Sequence, residues 1–276
     1  MVLTNNIGIM QGRLSPPIDD KIQAYPVKTW QREFEIAKEI GYSAIEWIVE
    51  NPLEENALMS DSGIKEINKV ILDTGVKVDY VCADIFMQQP LVRMSKKIEI
   101  ENKKYLEQIL VNSKEIGAIG VEIPFVDSSS IKNQLEIEEL ISATIEAFKL
   151  AEKIGVKISL ETDLNPEEFR ELLEKINLPH VMANYDIGNS ASLGYDPAEE
   201  LESYGQKILN VHVKDRKLGG TTVPLGTGNA DIKYVFEKLS KMRYEGGITM
   251  QAARGKNDVE VATEQLRYTL EIIKHI

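Results

Sequence analysis

The sequence predicts a single (β/α)8 (TIM) barrel of the α/β class over residues 1–276, and three observations carry that expectation. First, a helix-period stretch that ends in Gly and runs into an apolar segment occurs four times: Ala37-Lys-Glu-Ile-Gly-Tyr-Ser-Ala-Ile-Glu-Trp, Leu72-Asp-Thr-Gly-Val-Lys-Val-Asp-Tyr-Val, Ser113-Lys-Glu-Ile-Gly-Ala-Ile-Gly-Val-Glu-Ile and Ala151-Glu-Lys-Ile-Gly-Val-Lys-Ile-Ser-Leu-Glu. Gly41, Gly75, Gly117 and Gly155 stand where a helix C-cap takes a left-handed residue, which Gly adopts without a Cβ clash. Second, these glycines are spaced by roughly 34 to 42 residues, the length of one βα unit. Third, about eight strand-like runs succeed one another with no Pro/Gly/Ser-rich linker and no composition break, which favours one barrel over two domains. A doubly wound sheet is the alternative, weakened because no Gly-x-Gly-x-x-Gly follows the first strand.

Each element has its own justification. Strands are expected around 7–13, 44–49, 77–85, 120–125, 157–163, 181–187, 208–215 and 247–253, several of them apolar nearly throughout, as when both faces are covered. Between them, Ile137, Leu140, Ile141, Ile145, Phe148 and Ala151, and again Phe169, Leu172, Leu173 and Ile176, recur at helical spacing and define one buried face per helix.

Composition excludes several classes. With 43% hydrophobic and 28% charged residues and a mean hydropathy of −0.22, the chain reads as an ordinary soluble globular protein. No apolar run approaches the roughly 20 residues that cross a bilayer. Met1-Val-Leu-Thr-Asn-Asn lacks the basic start and apolar stretch of a signal peptide, so a cytoplasmic location is expected. Cys82 is the single cysteine and is expected to be a small core residue. Lys and Arg number 32 against 44 Asp and Glu, and the net charge of −12 disfavours nucleic acid and anionic membranes. The expected partner is a small molecule, with homo-oligomer formation left open.

Barrel sites lie at the C-terminal ends of the strands, and side-chain parity indicates what points inward there. Ser159, Glu161 and Asp163 alternate with Ile158 and Leu160; Asn184 and Asp186 oppose Ala183 and Tyr185. Asn210, His212 and Lys214 alternate with Val211 and Val213, and Thr249, Gln251 and Ala253 with Ile248 and Met250. Burying an isolated charge is costly, so Glu161, Asp186, His212 and Gln251 should be paired, hydrogen-bonded or bound to a metal. As an oxygen and nitrogen set without sulfur they suit one divalent ion such as Mn²⁺, Mg²⁺, Co²⁺ or Zn²⁺. The bland alternative for a single strand-end Glu is a helix N-cap partner or a solvated rim residue. His180 and His275 are expected at the surface. Leu225-Gly-Thr-Gly-Asn-Ala-Asp231 suits either an anion cradle of backbone N–H groups or a turn with Asp231 as helix N-cap.

The chain resembles the xylose-isomerase-like barrels, specifically the sugar-phosphate isomerase/epimerase group. The matching phrases are Ile7-Gly-Ile-Met-Gln-Gly-Arg-Leu, Gly41-Tyr-Ser-Ala-Ile-Glu-Trp, Leu160-Glu-Thr, Asp186-Ile-Gly-Asn, His212-Val-Lys-Asp and Gly246-Gly-Ile-Thr-Met-Gln. The resemblance implies a divalent-metal site of Glu, Asp, His and a second Glu at the ends of strands five to eight. The first three map to Glu161, Asp186 and His212; the fourth is Gln251, a departure. In the epimerases two carboxylates exchange the proton beside the carbonyl on opposite faces of an enediolate. Gln251 can offer a metal its amide oxygen but exchanges no proton at neutral pH, so two-base epimerisation through these positions is disfavoured.

The resemblance therefore implies an isomerase, or epimerase, of a small sugar or sugar phosphate, with Glu161 as base and ligand and Gln251 as ligand or substrate contact. The alternatives are a non-catalytic sugar- or metabolite-binding barrel and a metal-assisted dehydratase. The same resemblance suggests Glu46 with Trp47 as a substrate-contacting pair, unless Trp47 packs against a helix. It also suggests Arg13, Lys214, Arg216, Arg254 and Asn189 as substrate contacts, with ordinary salt bridges as the alternative for the basic residues. An endonuclease IV site, which needs additional His, is not expected, because position 189 is Asn.

Overall fold

The computed structural model describes residues 7–19 and 21–276, so the reading of Met1–Asn6 lies outside the described residues. Eight parallel strands close into a barrel: β1 Ile7–Met10, β2 Ala44–Ile48, β3 Tyr80–Cys82, β4 Gly120–Phe125, β5 Lys157–Thr162, β6 Val181–Asp186, β7 Ile208–Val213 and β8 Gly247–Met250. Each lies beside its sequence neighbours, and β1 closes the ring by pairing with both β2 and β8. The covering helices are α1 Trp30–Ile40, α2 Asp61–Thr74, α3 Lys96–Glu115, α4 Gln134–Ile154, α5 Pro166–Ile176, α6 Pro197–Tyr204, α7 Ile232–Lys241 and α8 Asp258–Lys274. Short extra helices at Ile85–Gln88 and Ile187–Leu193 come after β3 and β6.

Local sequence accounts for these bounds. Gly41, Gly75, Gly117 and Gly155 all have positive φ, so the repeated phrase is a helix stop in each copy. In α5, Asn165 caps the Glu168 N–H, Pro166 opens the first turn, and Phe169, Leu172, Leu173 and Ile176 are all buried. Each such buried side chain is worth about 1.5–3 kcal/mol relative to exposure. The strands near 7–13, 77–85 and 247–253 are shorter than expected. β1 ends because the chain turns at Gly12, where φ is +83° and a Cβ would sit 2.4 Å from the Ala24 carbonyl oxygen. Asp215–Arg216 and Thr222–Val223 form a small antiparallel ribbon that the sequence pattern does not suggest.

Strand parity separates two environments. Outward-facing Trp47 packs in an aromatic cluster with Tyr25, Trp30 and Phe34, and its Nε1 donates to Asn56 Oδ1 at 2.9 Å. Trp47 is therefore a helix-packing residue. Inside, Tyr80 stops the N-terminal end of the barrel: its hydroxyl donates to the Leu209 carbonyl at 3.2 Å and accepts from the Gly247 N–H at 3.1 Å. A Cβ on Gly247 would lie 2.2 Å from the Tyr80 ring, so only Gly leaves room for the stopper. The polar inward residues are thereby confined to the middle and the C-terminal end. A register shift at Ala183/Asn184, between β6 and β7, sets the alignment of Asp186 opposite His212.

Candidate metal centre and substrate cavity

His212 is the hub of the barrel interior. Its Nδ1 lies 3.4 Å from Glu161 Oε2 and 4.0 Å from Asp186 Oδ2, while its Nε2 lies 3.1 Å from Glu46 Oε2 and 3.8 Å from Glu122 Oε2. None of these five residues is more than 5% exposed. Glu161, Asp186 and His212 form one group whose ligand atoms lie within 4.8 Å of one another, and Glu46, Glu122 and His212 form a second. Four carboxyls thus face one imidazole and the Lys214 ammonium, which sits 2.6 Å from Asp186 Oδ2. That excess of negative charge in a buried place calls for a proton or a cation.

The titration tendencies express the same demand. Burial opposes ionisation of Glu161, yet hydrogen bonding and charge from His212, with Lys214 behind, hold its pKa at about 2. Glu122 goes the other way: burial and the charge of Glu161 push it well above the usual carboxylate range. For His212, burial works against the charged ring, but Glu46 and Glu161 outweigh it and raise the pKa.

Amides brace the acids. Asn184 Nδ2 donates to Glu161 Oε2 at 3.0 Å and Asn189 Nδ2 to Glu161 Oε1 at 2.6 Å. Asp186 caps the helix after it, accepting the Asn189 N–H at 2.8 Å. Arg216 Nη1 in turn donates to Asn189 Oδ1 at 2.8 Å.

Above this cluster opens a cavity of about 570 Å³, lined among others by Glu122, Glu161, Gln251, Asn189, Lys214 and Arg216, with Arg13 and Gln23 at its edge. A second cavity of about 620 Å³, between Leu225 and Tyr268, is lined by none of Glu46, Glu122, Glu161 and Asp186. The oxygen and nitrogen donors fit a divalent ion: three ionisable ligands converge, and Gln251 Oε1 in the same cavity is buried without a hydrogen-bond partner among the described residues. Gln251 Nε2 donates to Gln23 Oε1 at 3.1 Å.

The residues read from sequence fall into two sets. Glu161, Gln251, Arg13, Lys214, Arg216 and Asn189 share the cavity, with Asp186 and His212 directly beneath Glu161. Glu46 and Arg254 do not line it. Glu46 lies deeper in the barrel, bonded to Asn210 Nδ2 at 2.9 Å and to His212. Arg254 is turned away, donating to the Gly12 and Ser15 carbonyls and pairing with Asp258 at 3.1 Å. Arg254 and Lys214 are in ion pairs, whereas among the described residues Arg13 and Arg216 have no carboxylate within 4.0 Å.

Two further candidate positions escape the sequence pattern. Glu122 faces inward by the same parity that reveals Glu161, since Val121, Ile123 and Phe125 alternate with it. Asp84 comes just after β3 and lines the cavity; burial, then the charges of Glu50 and Glu161, raise it to about 6. The Gly-rich segment is a turn: the Gly228 and Ala230 N–H groups are taken by the Asp215 carboxylate at 2.7 and 3.0 Å, and Asp231 caps α7. Cys82 is buried beside Met10 and Ile48 and also borders the cavity. His275 is exposed, while His180 is largely buried with Nε2 2.7 Å from the Phe148 carbonyl oxygen.

Comparison with known proteins agrees with this architecture. The family model of the xylose isomerase-like TIM barrel matches residues 34–272. The chain is 23% identical to L-ribulose-5-phosphate 3-epimerase UlaE of Shigella flexneri, over 79% of this chain and 80% of that protein. It is 25% identical to inosose dehydratase of Clostridium tetani, over 80% and 89%. The fold superposes on the crystal structure of the IolI protein with a bound zinc atom, at a TM-score of 0.78, 16% identity and 98% coverage of each chain. Matched along most of its length, the chain belongs to the xylose isomerase-like TIM-barrel family.

Proposed function

We propose that the protein is a divalent-metal-dependent isomerase or epimerase of a small sugar carrying an anionic group, such as a sugar phosphate. The observation that carries this reading is the buried Glu161, Asp186 and His212 group beneath a cavity that also holds Arg13 and Arg216. Glu161, Asp186 and His212 would hold the ion, with Gln251 as a neutral fourth donor. The ion supplies Lewis-acid stabilisation of the negative charge that develops on the substrate oxygens when a proton leaves the adjacent carbon.

Glu161 accepts that proton. Its two oxygens are braced by Asn184 and Asn189, and it is ionised at neutral pH. A low pKa makes a weak base, so binding the substrate's negative charge near Lys214 must weaken its hold on Glu161. Because Gln251 exchanges no proton, return of the proton by Glu161 on the same face, as in aldose–ketose isomerisation, fits these residues better than two-base epimerisation. A second reading, dehydration, is supported by similarity to inosose dehydratase and starts with the same abstraction.

Solvent deuterium exchange across a panel of ketoses, aldoses and their phosphates tests the reading. Deuterium is expected to enter beside the carbonyl only with a divalent ion present, and Glu161→Gln should abolish it. Exchange that survives complete metal removal, or none with any sugar, contradicts it.

A further inference from the structure

Glu46 is a puzzle under the function proposed above. It is 1% exposed, it does not border the cavity, and a buried carboxylate is costly unless something requires it. Both of its contacts fall on one oxygen: Asn210 Nδ2 at 2.9 Å and His212 Nε2 at 3.1 Å, while Oε1 has no hydrogen-bond partner among the described residues. Asn210 is itself fixed, because its Oδ1 accepts from Thr249 Oγ1 at 3.3 Å and its amide nitrogen must therefore face Glu46.

The other side of the imidazole is equally specified. Asn184 Nδ2 lies 3.0 Å from Glu161 Oε2, a pure acceptor, which fixes the amide with its nitrogen toward that carboxylate. The same nitrogen lies 3.1 Å from His212 Nδ1. An amide nitrogen only donates, so in the neutral ring, the form that ligates a cation in place of its second proton, Nδ1 meets it with its lone pair. The ring proton then belongs on Nε2, pointing at Glu46.

From this chain we infer that Glu46 is a positioning residue, which accepts the His212 Nε2–H and so presents the Nδ1 lone pair to the cation held with Glu161 and Asp186. Metal-ligating histidines commonly donate their second ring N–H to a carboxylate, and losing that partner typically costs 10- to 100-fold in metal affinity. Glu46 acts through His212 rather than on substrate. The inference rests on the metal reading and adds to it a residue outside the ligand set.

Zinc titration of the full chain, with ¹⁵N-labelled histidine, tests the role. The chain has only His180, His212 and His275, so His212→Asn assigns the signal. In the zinc-loaded wild type, Nε2 should carry a proton and Nδ1 should carry the metal shift. Glu46→Gln, whose amide oxygen still accepts, should keep the Nε2 proton and bind zinc within about tenfold of wild type, whereas Glu46→Leu should bind 10- to 100-fold more weakly. Circular dichroism of the metal-free variants separates loss of folding from loss of affinity, and if Glu46→Leu does not fold, the chemical shift of the Nε2 proton decides the question: it should lie far downfield in wild type and move upfield in Glu46→Gln, whose neutral oxygen is the weaker acceptor, and an unchanged shift overturns the role. Zinc binding undiminished in Glu46→Leu, or a zinc-loaded wild type without the Nε2 proton, overturns the role of Glu46 alone. A wild type that binds no zinc overturns the metal reading with it.

Discussion

Asn189 Nδ2 reaches Glu161 Oε1 at 2.6 Å while its own Oδ1 accepts from Arg216 at 2.8 Å. One amide therefore couples a cavity-lining guanidinium to the proposed base. A hydrogen bond to a charged group is worth about 1.5–3 kcal/mol, so Asn189→Ala is expected to lower kcat roughly ten- to hundredfold. Steady-state kinetics check this, and an unchanged kcat with raised KM would make Asn189 a simple substrate contact.

Arg13 is 5% exposed, borders the cavity and has no carboxylate within 4.0 Å among the described residues. Burial, and after it the neighbouring Arg254, lowers its pKa to about 9, which marks a cation short of negative partners. Arg13→Met is expected to raise KM tenfold or more for a phosphorylated sugar and to leave the unphosphorylated analogue within about threefold, as loss of a charge-assisted contact requires. Equal effects on both sugars would place the anion elsewhere.

Glu33 on α1 accepts the Gly12 and Leu14 N–H groups, each at 3.0 Å, and so holds the turn that carries Arg13. Burial pushes its carboxyl up to about 7 against those bonds, from an ordinary 4.5. A folded pKa above the unfolded one means that the native state binds the extra proton. Its contribution to stability is complete below pH 4.5 and is lost as pH rises through 7, up to about 3 kcal/mol. Urea unfolding of metal-free protein at pH 5 and pH 8 should show that loss in wild type and a flatter profile in Glu33→Gln. Equal slopes would mean that the buried charge is compensated.

Under the function proposed above, a carboxylate in place of Gln251, which lines the cavity, would supply a second proton-exchanging group. Gln251→Glu is expected to add epimerisation at the carbon beside the carbonyl, monitored by NMR of the product sugars, and to tighten the divalent ion. Loss of a pre-existing isomerisation instead would show that the neutral amide is the working group.

The barrel is legible in the sequence because its signals repeat: a glycine stop after each of four helices, and alternation that places Glu161, Asp186 and His212 on one interior face. Glu122 carries the same alternation but stands among Val121, Ile123 and Phe125 in a strand that reads as simply apolar. Parity gives the face of a strand and not the depth along the barrel, which is why Glu46 is legible as inward while its contact with His212 and its place outside the cavity lining are not. Arg254 and the Gly228 turn depend on partners distant in sequence, Gly12 and Asp215, that no local period encodes.

Under the proposed function, Glu161, Asp186 and His212 hold a divalent ion beneath the substrate cavity. Anomalous diffraction from crystals of the protein soaked in manganese tests it most directly. One strong peak is expected, with ligand atoms of all three residues at about 2.0–2.3 Å, and it should be absent in Asp186→Ala. A peak away from these residues, or none at saturating manganese, would contradict it.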